Sequence, residues 1–152
     1  MGERTVVIRP ARRDESDLVA AAYAWLFAPP GRPVPGWDER RAAGDRRALI
    51  ARPSATVLVA VEGDELVGFC TAELDLRSVR FGRRAWVEDL AVRSDRRSSG
   101  IGKRLLDAAK GWSREHGASH LELDSGDARH DAHRFYERER PSWTSRSFGW
   151  QL

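Results

Sequence analysis

The residues best suited to chemistry in this 152-residue sequence form a short glycine-containing loop, Arg97-Ser98-Ser99-Gly100-Ile101-Gly102-Lys103. The apolar stretch Leu90-Ala91-Val92 precedes the loop, and an amphipathic stretch that ends near Trp112 follows it. Backbone N–H groups at the start of a helix lack partners within the helix, and the helix dipole adds partial positive charge there. Glycine lets an anion approach the main chain, and arginine supplies counter-charge. The pattern therefore predicts a phosphate cradle between a strand and a helix.

Two common phosphate-binding motifs do not fit this loop. A P-loop requires a glycine five residues before its Gly-Lys pair, but counting back from Gly102-Lys103 reaches Arg97. The dinucleotide fingerprint requires a small residue three positions after its second glycine, and Leu105 stands there. The cradle must therefore belong to another class of phosphate site.

The loop has the spacing Arg-x-x-Gly-x-Gly, and the pair Phe135-Tyr136 lies downstream in a helical pattern. Leu90-Ala91-Val92, the loop and this pair, in that order, resemble the GNAT family of N-acetyltransferases. The resemblance implies acetyl-coenzyme A as cosubstrate, with its pyrophosphate at the loop and its pantetheine arm along the preceding strand, and it implies no metal. The residues expected to bind the coenzyme are Leu90, Ala91, Val92, Arg97, Ser98, Ser99, Gly100, Ile101, Gly102 and Lys103.

The same resemblance implies catalytic roles. Tyr136 is expected to act as the general acid that protonates the departing thiolate, and a backbone N–H near Leu90 to polarise the acetyl carbonyl. Glu88 and Glu122 compete for the role of general base. Glu88 is favoured because period-two alternation would put its side chain on the same face as that of Leu90. Asp89, on the opposite face, is expected to be structural.

Two stretches depart from the family pattern. Many relatives carry an asparagine near the start of the Phe-Tyr helix, but Asp127, Ala128, Arg129 and His130 stand there. The usual end of that helix is replaced by Glu139-Arg140-Pro141-Ser142-Trp143. No coenzyme contact is therefore carried over at the helix start, and the conformation of 137–143 stays open.

Length and composition indicate a single domain over residues 1–152, and the order of its predicted elements is that of an α+β fold with a mixed sheet flanked by helices. The chain is 41% hydrophobic and 32% charged with a net charge of +3. No stretch has the ~20 apolar residues of a membrane helix, so a cytoplasmic protein with no membrane partner is expected. The basic residues are scattered among 23 acids, which argues against nucleic acid. One basic cluster is assigned to the coenzyme phosphates: Arg93, Arg96, Arg97, Lys103 and Arg104.

Periodicity predicts the order β, α, α, β, β, β, α, β, α, β. The expected strands are 5–9, 55–61, 65–76, 84–92 and 120–124, with one or two more in 143–152. The expected helices are one capped by Asp14 or Ser16 that reaches Phe27, then 37–51, 99–116 and 128–138. The single cysteine, Cys70, alternates within a strand and is expected to be packed rather than reactive.

The resemblance to the GNAT family implies an enzyme that moves the acetyl group of acetyl-coenzyme A to a primary amine by direct attack. The expected acceptor is a small cationic amine, in a pocket formed by the proline-rich loop 29–36, Trp37 and several acids: Glu73, Asp75, Glu88 and Glu122. A protein amino terminus is an alternative acceptor. The rival function is a non-catalytic acyl-coenzyme A-binding regulatory module. Self-association into a homodimer is left open.

Overall fold

The computed structural model describes residues 4–152, and its centre is a five-stranded mixed sheet. The strands are β1 (Val6–Pro10), β2 (Ala55–Glu62), β3 (Glu65–Ser78), β4 (Gly82–Val92) and β5 (His120–Leu123). They lie in the order β1-β2-β3-β4-β5. The first three pairings are antiparallel, and only β4 and β5 are parallel. The parallel pair is joined through a helix, as such a crossover requires.

Helices cover both faces of the sheet. They are α1 (Ser16–Ala22), α2 (Ala24–Phe27), α3 (Glu39–Ile50), α4 (Ile101–Glu115) and α5 (His130–Arg138). β2 is apolar along most of its length because its alternate residues face two different cores. Val57 and Val59 pack in the core beneath α1 and α3, whereas Leu58 and Ala60 pack beneath α4.

Local signals set several element boundaries as expected. The Asp38 carboxylate caps α3 by accepting the Arg41 N–H at 3.1 Å. The β2–β3 hairpin turns at Gly63, whose φ of +62° suits glycine. α4 ends before Gly117, which has a φ of +82°.

The first helical stretch differs from the prediction. Neither Asp14 nor Ser16 caps a helix that runs unbroken to Phe27. A 3₁₀ turn over Arg13–Glu15 comes first, and α1 and α2 meet at Tyr23. The capping role belongs to Glu15, whose carboxylate accepts the Arg12 N–H at 2.7 Å and is held by Arg9 at 2.7 and 2.8 Å.

The predicted final strands are absent from the part of the chain that the structure describes, because 143–152 pairs with no strand there. Trp143 lies near His120 with 5.8 Å between ring centroids, and Ser147 donates to Asp124 at 2.9 Å. Phe148 and Trp150 remain 75% and 82% exposed. These side chains bury too little surface to hold the segment in the sheet, so β5 is an edge strand.

Candidate active site

The candidate site forms where β4 and β5 diverge. β5 pairs with β4 only from His120 to Leu123, opposite 84–87, whereas β4 continues to Val92. Among the described strands, none covers the edge of 88–92 that faces away from β3. Its backbone N–H and C=O groups are therefore available to an extended ligand, as at the edge of any sheet.

A β-bulge changes the expected direction of the Glu88 side chain. Cys70, Thr71 and Ala72 of β3 pair with Leu90, Asp89 and Val87 of β4, so Glu88 is the extra residue that has no partner on β3. Val87 and Leu90 therefore share the α4 face, and the expectation that strict alternation joins Glu88 to Leu90 is wrong. Glu88 is exposed and accepts the indole N–H of Trp86 at 2.8 Å.

The divergence opens a cleft of about 370 Å³ beside the bulge. Glu88, Asp89 and Leu90 contribute from β4, and Tyr136 contributes from α5. The segment that joins α1 to α3 covers the opposite side with Arg32 and aromatic side chains. The cleft thus brings together Tyr136, Glu88 and the start of the open β4 edge.

The predicted cradle lies at the far end of the same edge. Ser98 and Gly100 have positive φ values of 62° and 83°, and α4 starts immediately afterwards at Ile101. The Arg104 N–H donates to Gly100 O, so the amides that precede it stand at the helix start, where intrahelical acceptors are missing. Successive amides in this conformation form an anion-binding concavity, and the loop fits a pyrophosphate.

Most of the basic cluster assigned to the phosphates is already engaged. Arg93 pairs with Asp95, Arg96 with Glu62, and Lys103 with Asp107 and Glu139, at N–O distances of 2.7 to 3.1 Å. Arg104 donates to the Val6 carbonyl at 3.0 Å. Arg97 contacts the Val92 carbonyl at 3.4 Å and has no acidic partner within 4–152. Fewer cationic side chains are therefore available to an anion than the sequence indicated.

Tyr136 is half-buried in the wall of the cleft. Its neighbour Phe135 lies beside the cradle, where a Cβ on Gly102 would be 3.6 Å from the ring. Removal of the hydroxyl from water raises the Tyr136 pKa to about 12. The phenol therefore keeps its proton at neutral pH, as a general acid must.

Asp89 forms a polar cluster that the sequence reasoning missed. Its carboxylate accepts the hydroxyls of Tyr23 at 2.5 Å and Thr71 at 3.1 Å. Arg46 donates to the Tyr23 oxygen at 3.0 Å and lies 4.0 Å from the carboxylate. Burial raises the pKa of Asp89 despite these hydrogen bonds. Sequence alternation placed Asp89 on the face opposite to Glu88, but the residues that contact it there come from distant segments.

Glu122 occupies a different position from Glu88. Arg84 pairs with the Glu122 carboxylate at 2.9 Å and with the Asp75 carboxylate at the same distance. Glu122 does not line the cleft, and Arg52 similarly pairs with Glu73 at 2.9 Å. Three of the four acids expected to form a cationic-amine pocket are thus neutralised by arginines, and Glu88 is the exception.

The comparisons with known proteins identify the family. Residues 18–140 match the sequence profile of the acetyltransferase (GNAT) family. The chain belongs to this family. The family and the α+β mixed-sheet fold predicted from the sequence are confirmed.

Relatives of this GNAT chain are found among both sequences and structures. The Bacillus subtilis protein YhdJ, named an uncharacterised N-acetyltransferase, is 37% identical over 89 residues, which span 59% of this chain and 62% of that protein. A structure titled transcriptional regulator from Bacillus halodurans has a TM-score of 0.82 at 22% identity, covering 97% of this chain and all of the other. The aminoglycoside N-acetyltransferase AAC(6')-Iy, solved with CoA, has a TM-score of 0.84 at 15% identity, covering 97% and 95%.

Three further features of the GNAT chain are its cysteine, its potential metal ligands and the polarity of its helices. Cys70 is fully buried, which raises its pKa to about 12. Residues 4–152 contain no cluster of three His, Cys, Asp or Glu side chains that could hold a metal ion. In the same range, every helix is too short or too polar to cross a membrane.

Proposed function

We propose that this chain transfers the acetyl group of acetyl-coenzyme A to a primary amine by direct attack. One observation carries the proposal: the open edge of β4 joins the anion cradle at one end to the Tyr136 cleft at the other. A thioester cosubstrate with a pyrophosphate needs these two places connected by an extended groove. When bound, acetyl-coenzyme A supplies an activated acetyl group.

The coenzyme-binding residues proposed here are those predicted from the sequence. The amides of 98–102 would hold the pyrophosphate, with Arg97 as the cation that no acid neutralises among the described residues. Leu90, Ala91 and Val92 would hydrogen-bond the extended arm in the manner of an added strand. Lys103 would contribute less, because two carboxylates already share its ammonium.

The protons can be assigned to residues of this chain. In the balanced reaction the acceptor ammonium first gives one proton to the base, the neutral nitrogen then bonds to the acetyl carbon as the thioester C–S bond breaks, and the nitrogen loses its second proton as the thiolate gains one. Tyr136 holds the proton for the sulfur, since its raised pKa keeps the hydroxyl intact. Glu88 takes the proton of the amine, directly or through water, because it lines the cleft without a cationic partner in the region described.

Glu122 and Asp89 are the other carboxylates considered for the base. Arg84 holds the Glu122 carboxylate at 2.9 Å, and Glu122 does not line the cleft, which makes it the weaker candidate. Asp89 lines the cleft beside Glu88, but Tyr23 and Thr71 occupy its carboxylate. We therefore keep Glu88 as the proposed base. The proposed acceptor is a small amine that enters as its ammonium ion, and cytoplasmic location and a homodimer remain sequence-based predictions.

An amine-library screen that detects thiol released from acetyl-coenzyme A tests the proposal. The expected result is amine-dependent release by the native chain and release slower by about 10²-fold or more in a Tyr136→Phe control at the same concentration. Calorimetric binding of acetyl-coenzyme A without release on any amine would instead favour the acyl-coenzyme A-binding regulatory module.

A further inference from the structure

The outer wall of the cleft is aromatic. Tyr23, Phe27 and Trp37 contact one another, with centroid distances of 5.4 Å for Tyr23–Trp37 and 4.7 Å for Phe27–Trp37. All three line the cleft, and the Trp37 side chain is 39% exposed. Tyr23 is only 9% exposed and packs against Phe69 of the core at 5.0 Å, so the apolar surface open to a ligand is that of Phe27 and Trp37.

Charges of both signs line the cleft together with the aromatic wall. At its inner end the Tyr23 hydroxyl meets the Asp89 carboxylate at 2.5 Å, next to Glu88. The 28–37 loop carries Arg32, which lines the cleft and pairs with no carboxylate of the described chain. Backbone hydrogen bonds from Gly31 to Ala28 and from Trp37 to Val34 shape this loop.

A second arginine supports the position of Arg32. Arg129 of the cleft wall donates to the Leu26 carbonyl at 3.0 Å, and its side chain lies 2.9 Å from where a Cβ on Gly31 would stand. The loop that carries Arg32 is thereby connected to the segment leading into α5. Two guanidinium groups on this side oppose a second ammonium on the acceptor and favour a carboxylate.

We infer that the acceptor is a free amino acid with an apolar or aromatic side chain. Its ammonium would lie at Glu88, its side chain against Phe27 and Trp37, and its carboxylate at Arg32. This inference rests on the proposed acetyl transfer and narrows its acceptor class. The products are the N-acetyl amino acid and the free coenzyme thiol, formed by the same bond and proton changes as in the proposed acetyl transfer.

The chemistry of the cleft disfavours polycations. A polyamine or an aminoglycoside carries several ammonium groups, which need several uncompensated acids. Glu73, Asp75 and Glu122 are each paired with an arginine at 2.9 Å, and Arg32 and Arg129 add positive charge to the cleft itself. A volume of about 370 Å³ is also at the small end of the range for ligand pockets.

Three acceptors that differ in one group test the inference: phenylalanine, phenylalanine amide and phenethylamine. Spermidine serves as the polycation. For the native chain we expect kcat/KM to be highest for phenylalanine, by about 10-fold or more over either analogue that lacks the carboxylate, because an arginine–carboxylate pair is charge-assisted. Equal rates on the three, or a preference for spermidine, would overturn the inference.

Arg32→Gln supplies the matched variant. It should lower kcat/KM for phenylalanine about 10-fold or more, chiefly through KM, and leave the rate on phenethylamine unchanged. Arg40→Gln, an exposed arginine outside the cleft, is the control and should change neither rate. Equal losses on both substrates in Arg32→Gln would contradict a carboxylate contact.

The screen and acetyl-coenzyme A affinity together distinguish failure of the amino-acid acceptor from failure of the proposed acetyl transfer. Transfer to amines without a carboxylate preference removes the amino-acid acceptor and leaves the proposed acetyl transfer intact. Absence of transfer to every amine, with coenzyme binding retained in calorimetry, removes both.

Discussion

The opposite proton-transfer roles that we propose for Tyr136 and Glu88 rest on a difference in their surroundings. Tyr136 is half-buried, and loss of water raises its pKa to about 12. Glu88 is exposed on a bulge, where water and the acceptor can both reach it. Both residues could be identified from the sequence, but only the structure shows that they line the same cleft.

Replacement of Tyr136 by phenylalanine tests the acid. The substitution keeps the ring against its neighbours and removes the transferable proton, so we expect turnover to fall by about 10²-fold or more. Acetyl-coenzyme A affinity should be nearly unchanged. Steady-state rates and calorimetry on the folded variant measure the two quantities, and full activity would assign Tyr136 to packing alone.

Glu88→Gln and Glu122→Gln distinguish the two predicted bases. If Glu88 deprotonates the ammonium, its variant should lose about 10²-fold in kcat/KM below the pKa of the amine and less above it, where the acceptor is already neutral. Glu122→Gln should have the smaller effect, since Arg84 holds that carboxylate away from the cleft.

A pH–rate profile of both variants decides between them. A defect confined to Glu122→Gln, with Glu88→Gln matching the native chain, would reverse the assignment. Loss of coenzyme binding in either variant would indicate that its carboxylate is structural.

At the scale of elements, the sequence predicted what depends on neighbouring residues and missed what depends on distant ones. The apolar spacing of Ile101, Leu105 and Ala109 placed α4, and all three are buried. The bulge at Glu88 depends on register with β3, which no local pattern encodes. The capping role of Glu15 similarly depends on Arg9 in the preceding strand.

The cradle at the start of α4 predicts a binding defect. Gly100→Asp or Gly102→Asp should abolish acetyl-coenzyme A binding, because a carboxylate would face the pyrophosphate and block approach to the backbone. Gly111→Asp is the control, since this glycine lies in the same helix and an added Cβ there meets nothing within 4 Å. Unchanged affinity in Gly100→Asp by calorimetry would remove the cradle assignment.

The contact between Arg9 and Glu15 predicts a pH-dependent loss of stability. The Arg9 hydrogen bonds lower the Glu15 pKa to about 2, below that of the unfolded chain, so the contact stabilises the fold above the usual carboxyl pKa and less as pH falls toward 2. Glu15→Gln should therefore lower the free energy of unfolding at pH 7 by about 1 kcal/mol after solvent screening.

Thermal unfolding across pH measures this effect. The difference between Glu15→Gln and the native chain should shrink as pH approaches 2. The exposed Glu137→Gln provides the control and should change stability by less than about 0.5 kcal/mol. A difference that is constant from pH 7 to pH 2 would contradict the assigned ionic contact.

For the whole molecule, the order of elements was predictable and the distribution of charge was not. The β–α–β pattern around α4 follows from hydrophobic periodicity, and the mixed sheet follows from that order. Ion pairs such as Arg84–Glu122 join residues 38 positions apart and become visible only in the fold. The predicted strands in 143–152 do not form because the large side chains of this segment stay exposed.

We propose that acetyl passes directly from coenzyme to amine. This proposal combines the cleft, the open β4 edge and the cradle. The most direct test follows thiol release from acetyl-coenzyme A, first with the native chain alone and then after phenylalanine and the amine library are added. We predict no release before addition and continuous release over many turnovers afterwards, matched by N-acetyl product. A burst of one thiol per chain before any amine is present would contradict direct transfer, and bound coenzyme with no release after addition would contradict catalysis.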